Sequence, residues 1–134
     1  MKRNTFPLKE HLKSKSVIDN LYANGASATA FPLRAVFITL PREQQLPTAS
    51  ILISVAKKRF RHAVDRNLIK RRIREAYRLN KAPFIKEIET DGKKIAIAIL
   101  YIDNKPGSTD YLKHKMQKLL NNILEKVQIG RAHV

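Results

Sequence analysis

The 134-residue sequence lacks several residue types and patterns, and each absence excludes a class of protein. It contains no cysteine, which excludes a disulfide framework and a thiolate metal site and suits a reducing cytoplasm. No apolar run approaches the roughly 20 residues that span a bilayer. The basic N-terminus has no apolar segment behind it, so we expect no secretory signal. The length and the 43% hydrophobic content predict one domain with one core.

Motifs of protein-based catalysis are also missing. The sequence has no GxSxG nucleophile elbow, no P-loop and no dinucleotide fingerprint, and its eleven acidic residues are too scattered to favour a two-metal nuclease site. The histidines have no metal-like spacing, although His62 lies in a basic stretch where it can bond a phosphate or ribose; the others are His11, His114 and His133. We therefore predict no catalytic residue and no metal site on this chain.

Acidic residues are scarce beside 27 lysines and arginines, and the net charge is +16. This excess concentrates between Ser54 and Lys81, where eleven cations accompany only Asp65 and Glu75. A block this charged is usually disordered. From Ala63 to Asn80, however, apolar residues recur at helical spacing and predict a helix that docks one stripe on a core. The stripe consists of Val64, Leu68, Ile69, Ile73, Ala76 and Tyr77.

The other faces of this helix form what we call the basic ridge: Arg66, Lys70, Arg71, Arg72, Arg74 and Arg78. A rigid cationic surface indicates a polyanion as partner, and nucleic acid is favoured over an acidic protein. An anionic membrane is disfavoured because the apolar stripe carries short aliphatic residues and no tryptophan or phenylalanine. Arginine forks pair phosphates and stack on bases, so the ridge suits folded RNA, whose A-form grooves favour recognition of backbone shape.

The predicted RNA-binding residues extend from the end of the preceding strand along this helix. They are Lys57, Lys58, Arg59, Arg61, Arg66, Asn67, Lys70, Arg71, Arg72, Arg74 and Arg78. Asn67 has two interpretations, a bond to a 2′-hydroxyl or a hydrogen bond within the protein that fixes the helix start. A charged helix face that meets only solvent is the remaining alternative for the ridge.

The rest of the chain predicts an α+β sandwich, with helices packed on a mixed sheet in the order α-β-β-β-α-β-α. A first helix has Ser16 as N-cap and ends at Gly25 in a left-handed conformation. A short edge segment precedes Pro32. Further strands are expected at Leu33–Leu40, at Thr48–Val55 antiparallel to it, and at Ile95–Ile102 as a central strand buried on both faces. The basic helix ends near Asn80 and Pro83, and a last helix covers Asp110–Val127.

We expect a single RNA-binding domain at residues 1–128, whose first residues form an arm and which is followed by a short tail. Residues 1–13 are polar and basic and predict a flexible arm. The last six residues, IGRAHV, match the peptide encoded by a common DNA-sequencing adapter translated in frame. We therefore interpret residues 129–134 as a non-native tail.

The stretch from Val55 to Leu79 resembles the signature of the bacterial ribonuclease P protein subunit. The family has an Arg-Asn-Arg motif followed by Ile-Lys-Arg and then Ile-Arg-Glu-aromatic-Arg. Here the matching residues are Arg66, Asn67, Leu68, Ile69, Lys70, Arg71, Ile73, Arg74, Glu75, Tyr77 and Arg78. The third motif position is Leu68 instead of arginine, and Arg72 occupies a site that is usually aliphatic. These positions lie one helical turn apart, which predicts that the charge has moved along the ridge.

The resemblance implies a subunit of a cytoplasmic ribonucleoprotein enzyme that removes 5′ leaders from precursor tRNA, with the active site and its Mg²⁺ on the RNA. It implies a two-layer fold like domain 2 of ribosomal protein S5, with a left-handed βαβ crossover. In the family, a cleft between the first helix and the exposed sheet face takes the single-stranded leader. The matching positions here are Ile18 and Tyr22, with Phe37 or Ile38 on the strand; alternatively, Tyr22 belongs to the core.

Partners implied by the resemblance are the ribonuclease P RNA and precursor tRNA, with no membrane and no small-molecule substrate. Two other functions stay open at this point. One is a basic ribosomal or ribosome-assembly protein that binds RNA structurally, and the other is a nuclease that acts without an RNA subunit.

Overall fold

The computed structural model describes residues 11–43 and 46–132. In these ranges the elements follow the predicted order α-β-β-β-α-β-α. The helices are α1 (Lys15–Asn24), α2 (Ala63–Thr90) and α3 (Thr109–Ala132). The strands are β1 (Ala26–Ala30), β2 (Leu33–Pro41), β3 (Ala49–Val55) and β4 (Lys93–Tyr101). Within these ranges, no helix has the length and apolar character needed to cross a membrane.

The four strands form one mixed sheet in the order β1-β2-β4-β3. β4 pairs antiparallel with β2 and parallel with β3, which confirms the mixed sheet and the central position of this strand. β3 runs antiparallel to β2, as expected, but β4 lies between them. The connection from β3 through α2 to β4 therefore joins neighbouring parallel strands, and α2 is the crossover helix.

The core is organised by the two faces of β4. Its large side chains point towards α2 and α3, where they pack with the apolar stripes of both helices: Ile95, Ile97, Ile99 and Tyr101. Its small residues Ala96 and Ala98 point to the opposite face and pack with Leu12, Val17 and Leu21 around α1. We call this opposite side the α1 face. Burial on both sides agrees with the uninterrupted apolar sequence of the strand.

The first helix is capped differently from the prediction. Its N-cap is Ser14 instead of Ser16, and the Ser14 hydroxyl accepts a hydrogen bond from the Val17 N–H at 3.4 Å. Gly25 ends the helix in an extended conformation (φ −72°) instead of a left-handed one. A Cβ atom at Gly25 would lie 2.4 Å from the Leu21 carbonyl oxygen, so a close backbone approach explains the glycine.

The basic helix is longer than predicted because Pro83 does not end it. α2 continues to Thr90, and Phe84 and Ile88 extend its buried stripe beyond the proline. Pro83 lies on the exposed side, where water can satisfy the carbonyl that has no helical donor. At the other end, Val64 is 78% exposed, so its expected place in the buried stripe is wrong. Ile69, five residues later, is the first buried residue of α2.

Both edges of the sheet are covered in part. At the β3 edge, the Leu12 N–H donates to the Ile51 carbonyl at 2.9 Å, and Leu12 is buried. Residues 11–13 therefore do not belong to the predicted flexible arm, while residues 1–10 lie outside the described ranges. At the β1 edge, the side chains of Asn122 and Lys126 donate to the carbonyls of Thr29 and Ser27.

The last helix begins close to the expected residue and continues past its expected end. α3 runs to Ala132, whereas the apolar stripe predicted an end at Val127. The added turn includes four residues of the segment interpreted as a non-native tail. A helical conformation does not bear on that interpretation, which stays a prediction.

Replacing Pro83 by alanine tests the continuous helix. Alanine restores the missing N–H donor and removes the ring clash, so we expect the free energy of unfolding to rise by about 1–3 kcal/mol. Urea denaturation followed by circular dichroism measures it. Pro106→Ala is the matched control in a non-helical segment, where stability should fall slightly because the unfolded chain gains freedom. A fall in both variants would contradict a helix that passes through residue 83.

Candidate nucleic-acid interface

The start of α2 is fixed by Arg66 instead of Asn67. The Arg66 guanidinium Nη1 donates to the carbonyl oxygens of Phe60 and Arg61, both at 2.9 Å. Phe60 is buried in the main core, so these bonds attach the strand-to-helix loop to the helix. The side chain of Asn67 is exposed and makes no hydrogen bond to another described residue. Among the described residues, Arg66 and not Asn67 makes the bonds expected at the helix start, and the Asn67 amide is available to a ligand.

Half of the basic ridge has side chains without a polar contact among the described residues. Arg71 and Arg74 are exposed, Lys70 is half-buried, and none of the three side chains makes a hydrogen bond or ion pair in the described ranges. The side chains of three further predicted cations in the preceding loop share this state: Lys57, Lys58 and Arg61. We call Lys70, Arg71 and Arg74 the free part of the ridge.

Arg78 is paired with the acid one turn before it. Its Nε donates to Glu75 Oε2 at 3.0 Å, and its Nη2 contacts Oε1 of the same carboxylate. The hydrogen bond from Arg78 holds the pKa of Glu75 below its usual value, and the same bond raises the pKa of Arg78. Both groups therefore stay charged at neutral pH, and a phosphate at Arg78 must compete with Glu75.

Arg59 and Arg72 are directed to the segment between β4 and α3. Arg72 Nη1 donates to the Gly107 carbonyl at 2.8 Å, and Arg59 Nη1 donates to Asn104 Oδ1 at 3.1 Å. The guanidinium of Arg72 thus already has one acceptor within the protein. The sequence predicted that the charge missing at Leu68 is replaced at Arg72. Because Arg72 bonds Gly107, it is not a simple substitute for an arginine at position 68.

A groove of about 190 Å³ joins the ridge to the α1 face. Lys70 and Arg74 line it from α2, His11 and Lys13 from the N-terminal segment, and Ile53 from the outer edge of β3. Leu52, which packs on the α1 face, also lines this groove. The groove therefore brings cations of α2 and of the N-terminal segment close to Leu52, at the edge of the α1 face.

The residues expected to line a cleft on the α1 face are only partly brought together. Ile18 and Ile38 are half-buried in the cluster around α1, and Tyr22 is 51% exposed on the same helix. Exposure excludes the core alternative for Tyr22. Phe37, in contrast, is buried among the residues that face α2 and α3. Its expected place in the cleft is wrong because neighbouring strand residues point to opposite faces.

The described residues contain no group of three or more histidine, cysteine or acidic side chains close enough to hold a metal ion. The ridge and the α1 face present exposed cations, the Asn67 amide and the Tyr22 ring, which are groups that can bind phosphates and bases.

Comparison with known proteins decides the family. A family model described as ribonuclease P matches residues 6–128. A ribonuclease P protein component from Porphyromonas gingivalis is 36% identical over 118 residues, which cover 88% of this chain and 85% of that protein. Another from Chlorobaculum tepidum is 30% identical over 139 residues and covers 95% and 90% of the two chains.

The chain belongs to the ribonuclease P protein family. Ribonuclease P is a ribonucleoprotein enzyme that processes the 5′ end of tRNA, and this family provides its RNA-binding protein subunit. This assignment decides against the ribosomal alternative.

Solved ribonuclease P proteins have the same fold. The Staphylococcus aureus protein superposes with a TM-score of 0.64 at 22% identity and covers 84% of this chain and 93% of that one. The Thermotoga maritima protein gives a TM-score of 0.62 at 20% identity, with coverage of 83% and 94%. The shared fold confirms the predicted α+β class.

Arg66→Lys tests the structural role of the first motif arginine of the ribonuclease P family. Lysine keeps the positive charge, but its side chain is one atom shorter and lacks the rigid planar group that holds Nη1 against both carbonyls, so we expect a decrease of about 1–2 kcal/mol in the free energy of unfolding. Thermal or urea unfolding measures it. Arg71→Lys, on the free part of the ridge, is the matched control and should leave stability unchanged. Equal effects of the two variants would contradict this role.

Proposed function

We propose that this chain binds the catalytic RNA of ribonuclease P through the free part of the ridge and holds the 5′ leader of precursor tRNA on the α1 face. The observation that carries the proposal is the groove at the β3 edge. It connects Lys70 and Arg74, on the crossover helix, to Leu52 on the α1 face.

The ridge is suited to the backbone of a folded RNA. Lys70, Arg71 and Arg74 have no protein partners among the described residues, so their donors do not have to break internal bonds before they meet phosphates. The underlying helix is rigid because Ile69, Ile73, Ala76 and Tyr77 are fully buried. Because the backbone under these cations is already ordered, binding has to order only their side chains, which favours affinity. Lys57, Lys58 and Arg61 extend the same surface.

The α1 face is suited to an unpaired strand. Tyr22 presents an exposed ring, and Ile18 and Ile38 offer half-buried apolar surface beside it. Base stacking on an aromatic ring contributes about 1–3 kcal/mol per base and tolerates any sequence. A site that accepts leaders of different sequence needs this tolerance. Since Ile18 and Ile38 cannot stack, we expect leader binding to depend mainly on Tyr22.

We assign the chemical step to the RNA subunit, which also binds most of the Mg²⁺. The scattered acids of this chain support that division, because a metal site for phosphoryl transfer needs several converging carboxylates. The protein then contributes cations that reduce phosphate repulsion between the two RNAs. The absence of cysteine suits a role in the reducing cytoplasm.

Reconstitution tests the function as a whole. The protein is mixed with a bacterial ribonuclease P RNA at low Mg²⁺, and cleavage of precursor tRNA is measured with and without it. We expect clear stimulation that fades as Mg²⁺ is raised, because the ion takes over charge neutralisation. Absence of stimulation would reject the proposal. Cleavage by rigorously RNA-free protein would instead support a nuclease that acts alone.

Removing the free part of the ridge should weaken binding to the RNA subunit. The triple variant Lys70→Ala, Arg71→Ala, Arg74→Ala should lower the slope of log affinity against log salt by roughly 0.7–0.9 for each phosphate that the variant no longer neutralises. Filter binding over a salt series measures this slope. A control with the same change in charge, Lys86→Ala, Lys113→Ala, Lys118→Ala, removes three exposed cations elsewhere and should keep the slope. If the two triple variants have the same salt slope, the ridge does not contact the RNA.

Tyr22→Ala separates leader binding from tRNA binding. The reconstituted holoenzyme with this variant should bind precursor tRNA more weakly, by about 1–3 kcal/mol, which is the stacking energy of one base. Mature tRNA, which has no leader, should bind as before. Tyr22→Phe keeps the ring and should restore precursor binding. Equal weakening for both RNAs would show that Tyr22 acts through the fold of the protein.

A further inference from the structure

The β4–α3 loop, residues 102–108, is fixed by hydrogen bonds along most of its length. The Tyr101 hydroxyl donates to the Lys105 carbonyl at 2.6 Å and accepts from the Gly107 N–H at 2.8 Å. Asp103 Oδ1 accepts from the N–H groups of Asn104 at 2.7 Å and Lys105 at 3.3 Å. Burial raises the pKa of Tyr101 above its ordinary value, so the hydroxyl keeps the proton that it donates at neutral pH.

Two further bonds attach this loop to the most basic part of the sequence. Arg72 holds the Gly107 carbonyl, and Arg59 holds the side chain of Asn104. These arginines lie on α2 and in the turn before it, so they fix the loop beside the start of the crossover helix. Arg72 is also a departure from the family signature, in which this position is usually aliphatic.

The start of α3 does not require these arginine contacts. Ser108 Oγ accepts from the Tyr111 N–H at 3.2 Å, and the Ser108 carbonyl accepts from the Leu112 N–H at 3.0 Å, which caps the helix locally. Leu112 is fully buried and anchors the same turn. The bonds from Arg59 and Arg72 therefore determine the position of the loop more than the existence of the helix.

The loop presents one cation at this position. Lys105 is exposed and makes no ion pair in the described ranges, although its backbone is bonded on both sides. Its neighbour Asn104 accepts a hydrogen bond from Arg59, which belongs to the same turn as the exposed cations Lys57 and Lys58. A lysine on a fixed backbone loses less freedom on binding than one on a mobile loop.

We propose that Arg59 and Arg72 are positioning residues that add the β4–α3 loop to the RNA-docking surface, where Lys105 contacts a phosphate of the ribonuclease P RNA. The inference rests on the proposed function, because it assumes that the ridge docks on this RNA. It also explains why arginine is present at position 72 while leucine is present at position 68. Arg72 acts through the loop that it holds, and Lys105 on that loop makes the phosphate contact.

A double-mutant cycle tests the inference. Arg72→Leu, Lys105→Ala and the double variant are titrated with the RNA subunit alone over a series of salt concentrations. Lys105→Ala should lower the salt slope by about 0.7–0.9, the value for one phosphate contact. Arg72→Leu should lower it by a similar amount because the loop is released, and the double variant should show no further decrease. Additive decreases, or no effect of Arg72→Leu, would overturn the proposal.

Variants that keep all charges distinguish positioning from charge. Arg72→Lys retains a donor for the Gly107 carbonyl and should restore most of the slope that is missing in Arg72→Leu. Tyr101→Phe removes only the hydroxyl that holds Lys105, and it should make a subsequent Lys105→Ala change nearly silent. An undiminished effect of Lys105→Ala in the Tyr101→Phe protein would count against the proposal.

Controls separate this inference from the proposed function. Lys118→Ala removes an exposed cation from the middle of α3 and should leave the slope unchanged. Thermal unfolding of every variant verifies that the chain is folded during the titration. If the wild-type protein does not bind the RNA, the proposed function is contradicted. If the wild-type protein binds normally but the effects of Arg72→Leu and Lys105→Ala on the salt slope are additive, only the role of the loop is contradicted.

Discussion

The burial of β4 on both faces is the constraint on which the rest of the structure depends. Its isoleucines and Tyr101 fill the space under α2 and α3, while Ala96 and Ala98 form the floor for α1. Complete burial of each large side chain contributes about 1.5–3 kcal/mol, so this strand supplies a large share of the core. Because α2 connects β3 to β4, the same strand also determines where the basic helix lies. The position of every cation on α2 follows from that packing.

The basic residues of this protein fall into two groups, those that bond other parts of the chain and those whose side chains have no partner among the described residues. Arg66 joins the strand-to-helix loop to α2, and Arg59 and Arg72 hold a distant loop, so these guanidiniums act as cross-links between backbone segments. Lys70, Arg71 and Arg74 make no side-chain hydrogen bond within the described ranges, so their donors remain available to a ligand. Arginine suits the first group because its guanidinium is always charged, is rigid and carries five N–H donors on a long side chain. A protein with a net charge of +16 can thus use part of its charge for its own architecture.

Much of the fold was predictable because its elements have strong local signals. The two-sided apolar pattern of β4 and the turn residues between strands specified the element order, and the motif from Arg66 to Arg78 specified the family. The continuation of α2 was missed because Pro83 is a strong local breaker, although Phe84 and Ile88 keep the spacing of the buried stripe. The choice between Phe37 and Ile38 needed the register of β2 against β4. The contacts of Arg59 and Arg72 join residues 35 or more positions apart, which no local pattern encodes.

The covered edges of the sheet affect how the protein behaves before it binds RNA. Open strand edges invite pairing with other chains, which is a common route to aggregation. Here Asn122 and Lys126 occupy outward carbonyls of β1, and the segment at Leu12 occupies part of β3. Mutual repulsion between highly charged copies adds a second barrier. Newly made subunits should therefore remain dispersed, and assembly can wait for the RNA transcript.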